Sequence, residues 1–370
     1  MKVRAALLFS QPGKWQVVDV DLDDPSDTEV LVRIVASGMC HSDDHIAKGD
    51  TSPLHMPYCA GHEVAGVVEA VGSAVRSLEV GDHIVTSFIP GCGRCRFCTA
   101  GMQNLCQNGA MIGTGAQMDG SFRMHFEGTD VARASMIGGF AEMAVMPEIS
   151  CVKIPKHVPL RAAALLGCGV PTGWGSAVRA ALVEPGDVVI VIGTGGVGIN
   201  AVQGSAHAGA LRTIAVDPVA FKREASIQMG ATDAVASIAE AAELAGSLTD
   251  GQGADSAIIT VGVLTAEDVG SAFNAVRKGG TVVVTAVAPP SVQSLPINPL
   301  VLAMYQKRIQ GCLYGMMSPS SDVLMLLRLY EEGRLKLDEL VTRTYSLEEI
   351  NLGYEDMHAG RNLRGLIEFS

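Results

Sequence analysis

The most specific chemical signal in the sequence is a group of four cysteines with the spacing C-x2-C-x2-C-x7-C. This group, which we call the cysteine lobe, consists of Cys92, Cys95, Cys98 and Cys106. Four thiolates so close in sequence can close a tetrahedral shell around zinc, as a structural zinc site requires. The alternatives are an iron–sulfur cluster, which the long final gap and the missing Cys-Pro pair disfavour, and reduced surface thiols.

A second set of candidate ligands, which we call the ligand trio, is spread along the chain as Cys40, His62 and Cys168. Two soft thiolates and one imidazole are zinc ligands, and three protein ligands with an open fourth position are typical of catalytic zinc. Taken singly, a buried cysteine and a core histidine would be the simpler interpretation.

The residues that follow Cys40 favour the catalytic interpretation. Asp43 can orient a ligand of the metal, while Ser42 and His45 lie where a proton could be relayed. Together they predict a catalytic metal site.

A glycine-rich turn at residues 193–198 follows the apolar run 188–192 and opens a helix-like segment, 197–208. Asp217 ends the next apolar run, residues 213–216. A strand, a glycine turn, a helix and a second strand that ends in an acid form the pattern of a dinucleotide-binding unit.

Each part of this pattern has a physical task. We expect Gly193 to allow a tight turn, Gly195 to let the backbone approach a pyrophosphate, and Gly198 to bring helix and strand close together. The cofactor-binding residues predicted from this stretch are Gly193, Gly195, Gly196, Val197, Gly198 and Asp217.

The elements that must position these groups are of two kinds. Residues 1 to about 90 are typical of short strands and turns, which predicts a mainly β domain with a partly closed barrel. From about residue 170 helices and strands alternate, which predicts an α/β doubly wound parallel sheet. We predict a catalytic domain of residues 1–169 and 314–370, with a dinucleotide-binding domain of residues 170–313 inserted in it.

Residues 107–146 are irregular and contain several glycines and methionines without a helical period. Two interpretations stay open for them: a lid over the active site, or a surface loop that covers the barrel.

The composition argues against several classes of protein. The chain has 370 residues and a formal net charge of −12, and so lacks the basic surface that a nucleic-acid partner requires. No apolar run reaches the roughly 18 residues of a membrane span, and the amino terminus shows no cleavage site. Nine cysteines in a chain of this length favour metal ligands over a disulfide framework. We expect a cytoplasmic protein.

In their order along the chain, these motifs resemble those of the zinc-dependent medium-chain alcohol dehydrogenases. The resemblance covers essentially the whole chain. Gly61-His62-Glu63, the cysteine lobe, Gly167-Cys168-Gly169 and residues 193–198 carry the resemblance. It implies a GroES-like barrel in the catalytic domain and a Rossmann fold in the cofactor domain. It also implies two zinc ions per chain, a catalytic one on the ligand trio and a structural one on the cysteine lobe.

The same resemblance implies roles for other residues. Ser42 and His45 resemble the family's proton relay, Asp43 the carboxylate behind a zinc-bound histidine, and Glu63 the carboxylate beside the metal. Phe88 resembles a wall of the substrate pocket. Contacts with a nicotinamide cofactor are implied for His41, Thr172, Asp217, Lys222 and Arg364.

Finer details resemble the actinobacterial dehydrogenases named for N,N-dimethyl-4-nitrosoaniline (NDMA). Residues 215–219, 222–224, 259–262 and 338–342 carry this likeness. It implies a nicotinamide that does not exchange and is reoxidised in place, artificially by that dye and physiologically by the redox peptide cofactor mycofactocin.

We therefore predict a zinc-dependent enzyme that reversibly oxidises a primary alcohol to an aldehyde and transfers the hydride to NAD(H). NAD is favoured over NADP, because the Asp217 carboxylate would repel a 2′-phosphate, although Lys222 and Arg223 lie nearby in sequence. Two alternatives stay open: a glutathione-dependent formaldehyde dehydrogenase or other alcohol or polyol dehydrogenase, and a non-catalytic zinc- and nucleotide-binding redox sensor. We expect a homodimer or homotetramer, joined through the sheet edge near residues 300–313.

Overall fold

The computed structural model describes residues 1–51, 53 and 55–369. The chain forms two compact units: residues 1–168 together with the segment from 318 onward, and residues 169–317. From the sequence, we predict that the chain passes into the second domain after residue 169 and returns to the first after residue 313. Among the described residues, no helix is long and apolar enough to cross a membrane.

The first unit consists mainly of β-strands. In chain order these are β1 (Lys2–Leu8), β2 (Gln16–Leu22), β3 (Glu29–Gly38), β4 (Tyr58–Cys59), β5 (Glu63–Val71), β6 (His83–Thr86), β7 (Met124–Phe126), β8 (Thr129–Asp130), β9 (Ala132–Arg133), β10 (Met143–Pro147) and β11 (Cys151–Ile154). Its helices in this part are α1 (His41–Lys48), α2 (Arg96–Thr99) and α3 (Leu160–Ala163).

The second unit alternates helices and strands. They are α4 (Gly169–Gly175), which continues into a π-helical turn, β12 (Val188–Ile192), α5 (Gly198–Ala208), β13 (Arg212–Val216), α6 (Ala220–Gln228), β14 (Asp233–Val235), α7 (Ile238–Leu248), β15 (Ala254–Ile259), α8 (Ala266–Ala275), β16 (Val276–Val284), α9 (Pro299–Met304) and β17 (Arg308–Gly311). The chain then returns to the first unit with α10 (Pro319–Glu331), β18 (Val341–Tyr345), α11 (Ile350–His358) and β19 (Arg364–Glu368).

Two sheets build the barrel of the first unit. One has the order β8-β7-β2-β1-β4-β9, and the other the order β11-β6-β5-β3-β19-β18, with β10 also paired to β3. Strand β3 is the hub, because it pairs antiparallel with β5, β10 and β19. Side chains such as Leu7, Phe140 and Ile367 fill the core between the strands and are fully buried.

The sheet of the second unit has the order β14-β13-β12-β15-β16-β17, and every pair in it is parallel. All five residues of β12 are buried, as expected for a central parallel strand whose two faces are both covered. The strand order reverses beside β12, and in such sheets ligands bind beyond the carboxyl ends of the strands at this point.

Residues 107–146, for which the sequence left two interpretations open, are part of the barrel. Met124, Met136 and Phe140 from this segment are fully buried in the first unit. Arg123 ties it down: its Nε donates to Glu29 Oε2 at 2.7 Å, and both residues are buried. The segment therefore contributes β7, β8 and β9 to one barrel sheet and fills part of the core.

Arg123→Met should destabilise the first unit by about 3 kcal/mol, because the Glu29 carboxylate would remain buried without its cation. Urea unfolding can be followed by the fluorescence of Trp15, which lies in this unit, in a Trp174→Phe background. Lys2→Met is the control: it breaks the exposed Lys2–Asp21 ion pair and should change the free energy of unfolding by less than about 0.5 kcal/mol. Equal effects of the two variants would contradict the prediction.

Candidate active site and metal centres

Helix α1 carries the residues predicted to act beside the metal. Cys40 is its N-cap residue, in extended backbone directly after strand β3, and Gly49 ends the helix in the left-handed conformation with a φ of 86°. Ser42, on the first turn of the helix, is exposed, while Asp43 is 1% exposed. The end of strand β3 and the start of helix α1 therefore position Cys40 together with Ser42 and Asp43.

The structure brings the ligand trio together. One ligand atom each from Cys40, His62 and Cys168 lies within 4.8 Å of the others, and a carboxylate oxygen of Glu63 falls within the same limit. All four residues are buried. Strand register is responsible, because Gly38 at the end of β3 pairs with Glu63 at the start of β5. A Cβ at Gly38 would lie 2.1 Å from Glu63 Oε2, so a larger residue here would displace the Glu63 carboxylate from its place beside the trio.

Asp43 lies behind the histidine of the trio, as predicted. His62 Nδ1 donates to Asp43 Oδ1 at 3.2 Å, and the Gly61 backbone N–H donates to the same oxygen at 3.2 Å. A carboxylate on Nδ1 fixes the ring so that Nε2 is the nitrogen available to a metal. Among the described residues, Asp43 Oδ2 has no hydrogen-bond partner.

The electrostatics favour a thiolate at Cys40 and a protonated His62. The hydrogen bond with Cys168 holds the pKa of the Cys40 thiol well below its usual value; burial opposes this shift, and His62 and Arg364 assist it. Burial lowers the pKa of His62, but the charge and hydrogen bond of Asp43, with help from Cys40, outweigh it and raise that pKa to about 10. A buried thiolate needs a neighbouring cation. Two soft sulfurs and one imidazole fit zinc, which would replace the proton that His62 otherwise holds.

Arg364 is placed beside the trio. The sequence predicted it near the pyrophosphate of a cofactor; its guanidinium Nη2 donates to Glu63 Oε2, and both side chains are buried. Burial lowers the pKa of Arg364, while the charges of Cys40 and Asp43 raise it. Its Nε has no partner among the described residues. The ion pair joins positions 301 residues apart, and no local pattern in the sequence indicates it.

The predicted relay residues share helix α1, one turn apart. His45 is 7% exposed, and its Nδ1 lies 2.9 Å from Asp50 Oδ2, a partner that the sequence pattern did not single out. The ring of His41 lies 6.3 Å from that of His45, centroid to centroid. The ring of Phe88 meets that of His62 edge-on, with 5.7 Å between ring centroids.

The cysteine lobe gathers its four sulfurs into a second cluster, again within 4.8 Å of one another. Cys92 and Cys98 have their sulfurs 3.9 Å apart, as do Cys95 and Cys106. A tetrahedral zinc with Zn–S bonds of about 2.3 Å would set its sulfurs about 3.8 Å apart. The backbone N–H groups of Cys98 and Gln107 lower the pKa of Cys95 to about 6. The lobe therefore fits a metal with a closed shell of four thiolates.

The glycine turn of the second unit has the predicted geometry. Gly193 has a φ of 84°, which favours glycine, and a Cβ at Gly198 would lie 1.9 Å from the Gly193 carbonyl oxygen. A Cβ at Gly195 would meet no atom within 4 Å. Gly193 and Gly198 thus serve the fold. Gly195 borders open space, as an approach to a pyrophosphate requires.

Asp217 follows strand β13 and is 4% exposed. Its carboxylate accepts hydrogen bonds from the backbone N–H groups of Thr194 and Val219, each at 3.0 Å. These bonds hold the acid beside the glycine turn, where a ribose would lie. Arg223 donates to the Asp217 backbone oxygen at 2.7 Å. Thr172 lies on α4, and its buried Oγ1 has no partner among the described residues.

Comparison with known proteins places this geometry in a family. Residues 26–156 match the family model of the alcohol dehydrogenase GroES-like domain, and residues 196–332 match that of the zinc-binding dehydrogenases. The chain is 50% identical, over all 370 residues and the full length of both proteins, to an NDMA-dependent alcohol dehydrogenase of Amycolatopsis methanolica. The chain belongs to the zinc-dependent medium-chain alcohol dehydrogenases.

Two further relatives agree. Alcohol dehydrogenase B of Mycobacterium tuberculosis is 43% identical over 371 residues, which cover 100% of this chain and 99% of that one. The crystal structure of benzyl alcohol dehydrogenase from Acinetobacter calcoaceticus is 30% identical and covers all of both chains with a TM-score of 0.92. The predicted α/β fold class, with a GroES-like barrel and a Rossmann unit, is confirmed. The chain is an enzyme, so the alternative of a non-catalytic sensor falls away.

Metal content should separate the two clusters. By plasma mass spectrometry, we expect two zinc ions per wild-type chain. We expect one zinc ion per chain in each single variant, Cys40→Ala or Cys106→Ser, because each change removes a thiolate ligand. Cys40→Ala should abolish alcohol turnover with little change in melting temperature, whereas Cys106→Ser should lower the melting temperature.

Cys59→Ala is the matched control, since this buried thiol belongs to neither cluster. It should retain both zinc ions. Full turnover by Cys40→Ala would contradict the assignment of the ligand trio.

Proposed function

We propose that this enzyme oxidises a primary alcohol to an aldehyde, reversibly, and that the hydride passes to a tightly held NAD(H). The observation that carries the proposal is the position of helix α1. The Cys40 ligand precedes this helix, and the proton-handling residues Ser42 and His45 lie on it. One rigid element thus presents both the metal ligand and the route for the proton.

The ligand trio would hold the catalytic zinc, and the cysteine lobe a second, structural one. Bound zinc supplies a Lewis acid that lowers the pKa of an oxygen bound to it. The chain itself fixes the donors: Asp43 orients His62, and Arg364 neutralises Glu63 beside the trio. A site that is set before the substrate arrives needs little reorganisation during the reaction.

The proton of the alcohol has to leave a buried site, and α1 offers the path. Ser42 is exposed and can accept and donate a proton in a hydrogen bond, while His45, one turn further along the helix, is a buried base. A histidine is suited to this task near neutral pH. Phe88, against His62, would form an apolar wall for the substrate.

The second unit would bind the cofactor, and NAD(H) supplies the hydride acceptor. The open side of Gly195 fits a pyrophosphate, and the buried Asp217 carboxylate disfavours the 2′-phosphate of NADP. His41, Thr172 and Lys222 are proposed as further cofactor contacts, and so is Arg364 through its unpartnered Nε.

The relative from Amycolatopsis methanolica is named for its dependence on NDMA, and the likeness covers the whole chain. This supports a nicotinamide that stays bound through the catalytic cycle. An electron acceptor then has to come to the enzyme. We propose mycofactocin for this role in the cell.

Exhaustively desalted wild-type protein tests the trapped cofactor. With benzyl alcohol or 1-butanol, we expect turnover with the nitroso dye alone and none with added NAD alone, because a bound NADH that does not exchange has to be reoxidised in place. The nucleotide extracted by acid should be NAD(H) rather than NADP(H). Turnover that requires added NAD would contradict tight binding, and activity only on formaldehyde with glutathione would favour the alternative dehydrogenase.

We also propose that two copies of the chain join along strand β17. Within the described part of the chain, this strand is the outermost one of its sheet and pairs with β16 alone. On the preceding helix α9, Leu300 and Met304 lie one turn apart and are 67% and 70% exposed. An edge strand beside exposed apolar side chains is typical of a sheet that continues across a dimer.

The double variant Leu300→Asp/Met304→Asp should shift the protein towards monomer, because charge would then be buried in the interface. Light scattering coupled to size-exclusion chromatography measures the mass. Leu211→Asp is the control, since Leu211 is 65% exposed at the start of β13 and away from the β17 edge. An unchanged mass for the double variant would rule out this interface.

A further inference from the structure

The chain doubles back on helix α1 directly after its last turn. Gly49 adopts the left-handed conformation, and the backbone N–H groups of Asp50 and Thr51 both donate to the His45 carbonyl oxygen, at 2.9 and 3.3 Å. The reversal carries the Asp50 side chain to the His45 ring, five residues earlier. Asp50 Oδ2 and His45 Nδ1 are 2.9 Å apart.

This pair connects the interior with solvent. The His45 side chain is 9% exposed and that of Asp50 is 42% exposed. The carboxylate therefore touches a buried ring with one oxygen while it stays in contact with water.

The other charged groups around this turn have different partners. Asp44, which lies on α1 directly before His45, has its carboxylate 2.9 Å from Lys48 Nζ and 2.8 Å from His358 Nε2. His41 faces the His45 ring at 6.3 Å between centroids, beyond hydrogen-bond distance. Asp50 thus places a carboxylate at hydrogen-bond distance from His45 Nδ1.

We propose that Asp50 is a positioning residue of the proton relay. It holds the His45 ring with Nδ1 protonated, so that Nε2 is the nitrogen that accepts the proton, and it stabilises the imidazolium that results. The step is a proton transfer only: the Nε2 lone pair takes the proton, the imidazolium pairs with Asp50, and the proton then passes to water. This inference rests on the proposed role of His45.

The test compares Asp50→Asn, His45→Gln and the double variant, each as the complete enzyme, with 1-butanol and the acceptor that supports wild-type turnover. Asp50→Asn should lower kcat about five- to tenfold near pH 6.5, which corresponds to the loss of one charge-assisted hydrogen bond. The deficit should shrink to about twofold or less near pH 9, because hydroxide can then take the proton without the histidine. The double variant should be no slower than His45→Gln, because both changes break the same path.

Asp44→Asn is the matched control. It removes the same charge from helix α1, where the Asp44 carboxylate pairs with Lys48 and His358 rather than with the His45 ring, and it should leave the pH dependence of kcat unchanged even where the melting temperature falls. Asp50→Glu should recover part of the rate lost in Asp50→Asn, because it restores a carboxylate.

Three results would overturn the inference. Wild-type turnover by His45→Gln at every pH would remove both the relay and the role of Asp50. A pH-dependent loss in His45→Gln but none in Asp50→Asn would leave the relay standing and exclude Asp50. A deficit in Asp50→Asn that is constant with pH and adds to that of His45→Gln would show a purely structural role.

Discussion

The balance of charge around the buried ligand trio is the constraint on which the first unit depends. Two thiols, an imidazole and two carboxylates are gathered where water is excluded, and an uncompensated charge at such a place is costly. The buried charges are compensated by ion pairs, chiefly Asp43 with His62 and Arg364 with Glu63. A zinc ion held by the ligand trio would add positive charge to this balance.

This constraint also explains the architecture of the barrel. Arg364 begins strand β19, which pairs antiparallel with β3. Cys40 lies just beyond the end of β3. The sheet register therefore brings the cation from the carboxyl-terminal segment to ligands near the amino terminus. A shift of one residue in either strand pair would turn these side chains to the opposite face.

Sequence patterns predicted best what is local in the fold, while the distant ligand trio was predicted from ligand chemistry and family resemblance. The cysteine lobe and the glycine turn could be predicted because their residues lie within a few turns of chain, and backbone geometry alone brings them together. The fold class followed from the change between strand-rich and alternating segments. Three features could not be predicted. The Arg364–Glu63 pair depends on sheet register, Asp50 reaches His45 only through a turn beyond the helix, and residues 107–146 could be placed only once Met124 and Phe140 were seen in the core.

The long-range pairing of β19 with β3 sets the order in which the molecule can be made. Arg364 leaves the ribosome 301 residues after Glu63, a delay of roughly 15 to 60 s at ordinary rates of translation. The nucleotide-binding unit is contiguous, so all of its strands have been synthesised while the barrel still lacks β18 and β19. The nascent chain therefore spends this interval with the thiols of Cys40 and Cys168 in an unfinished barrel, before Arg364 can pair with Glu63 beside them.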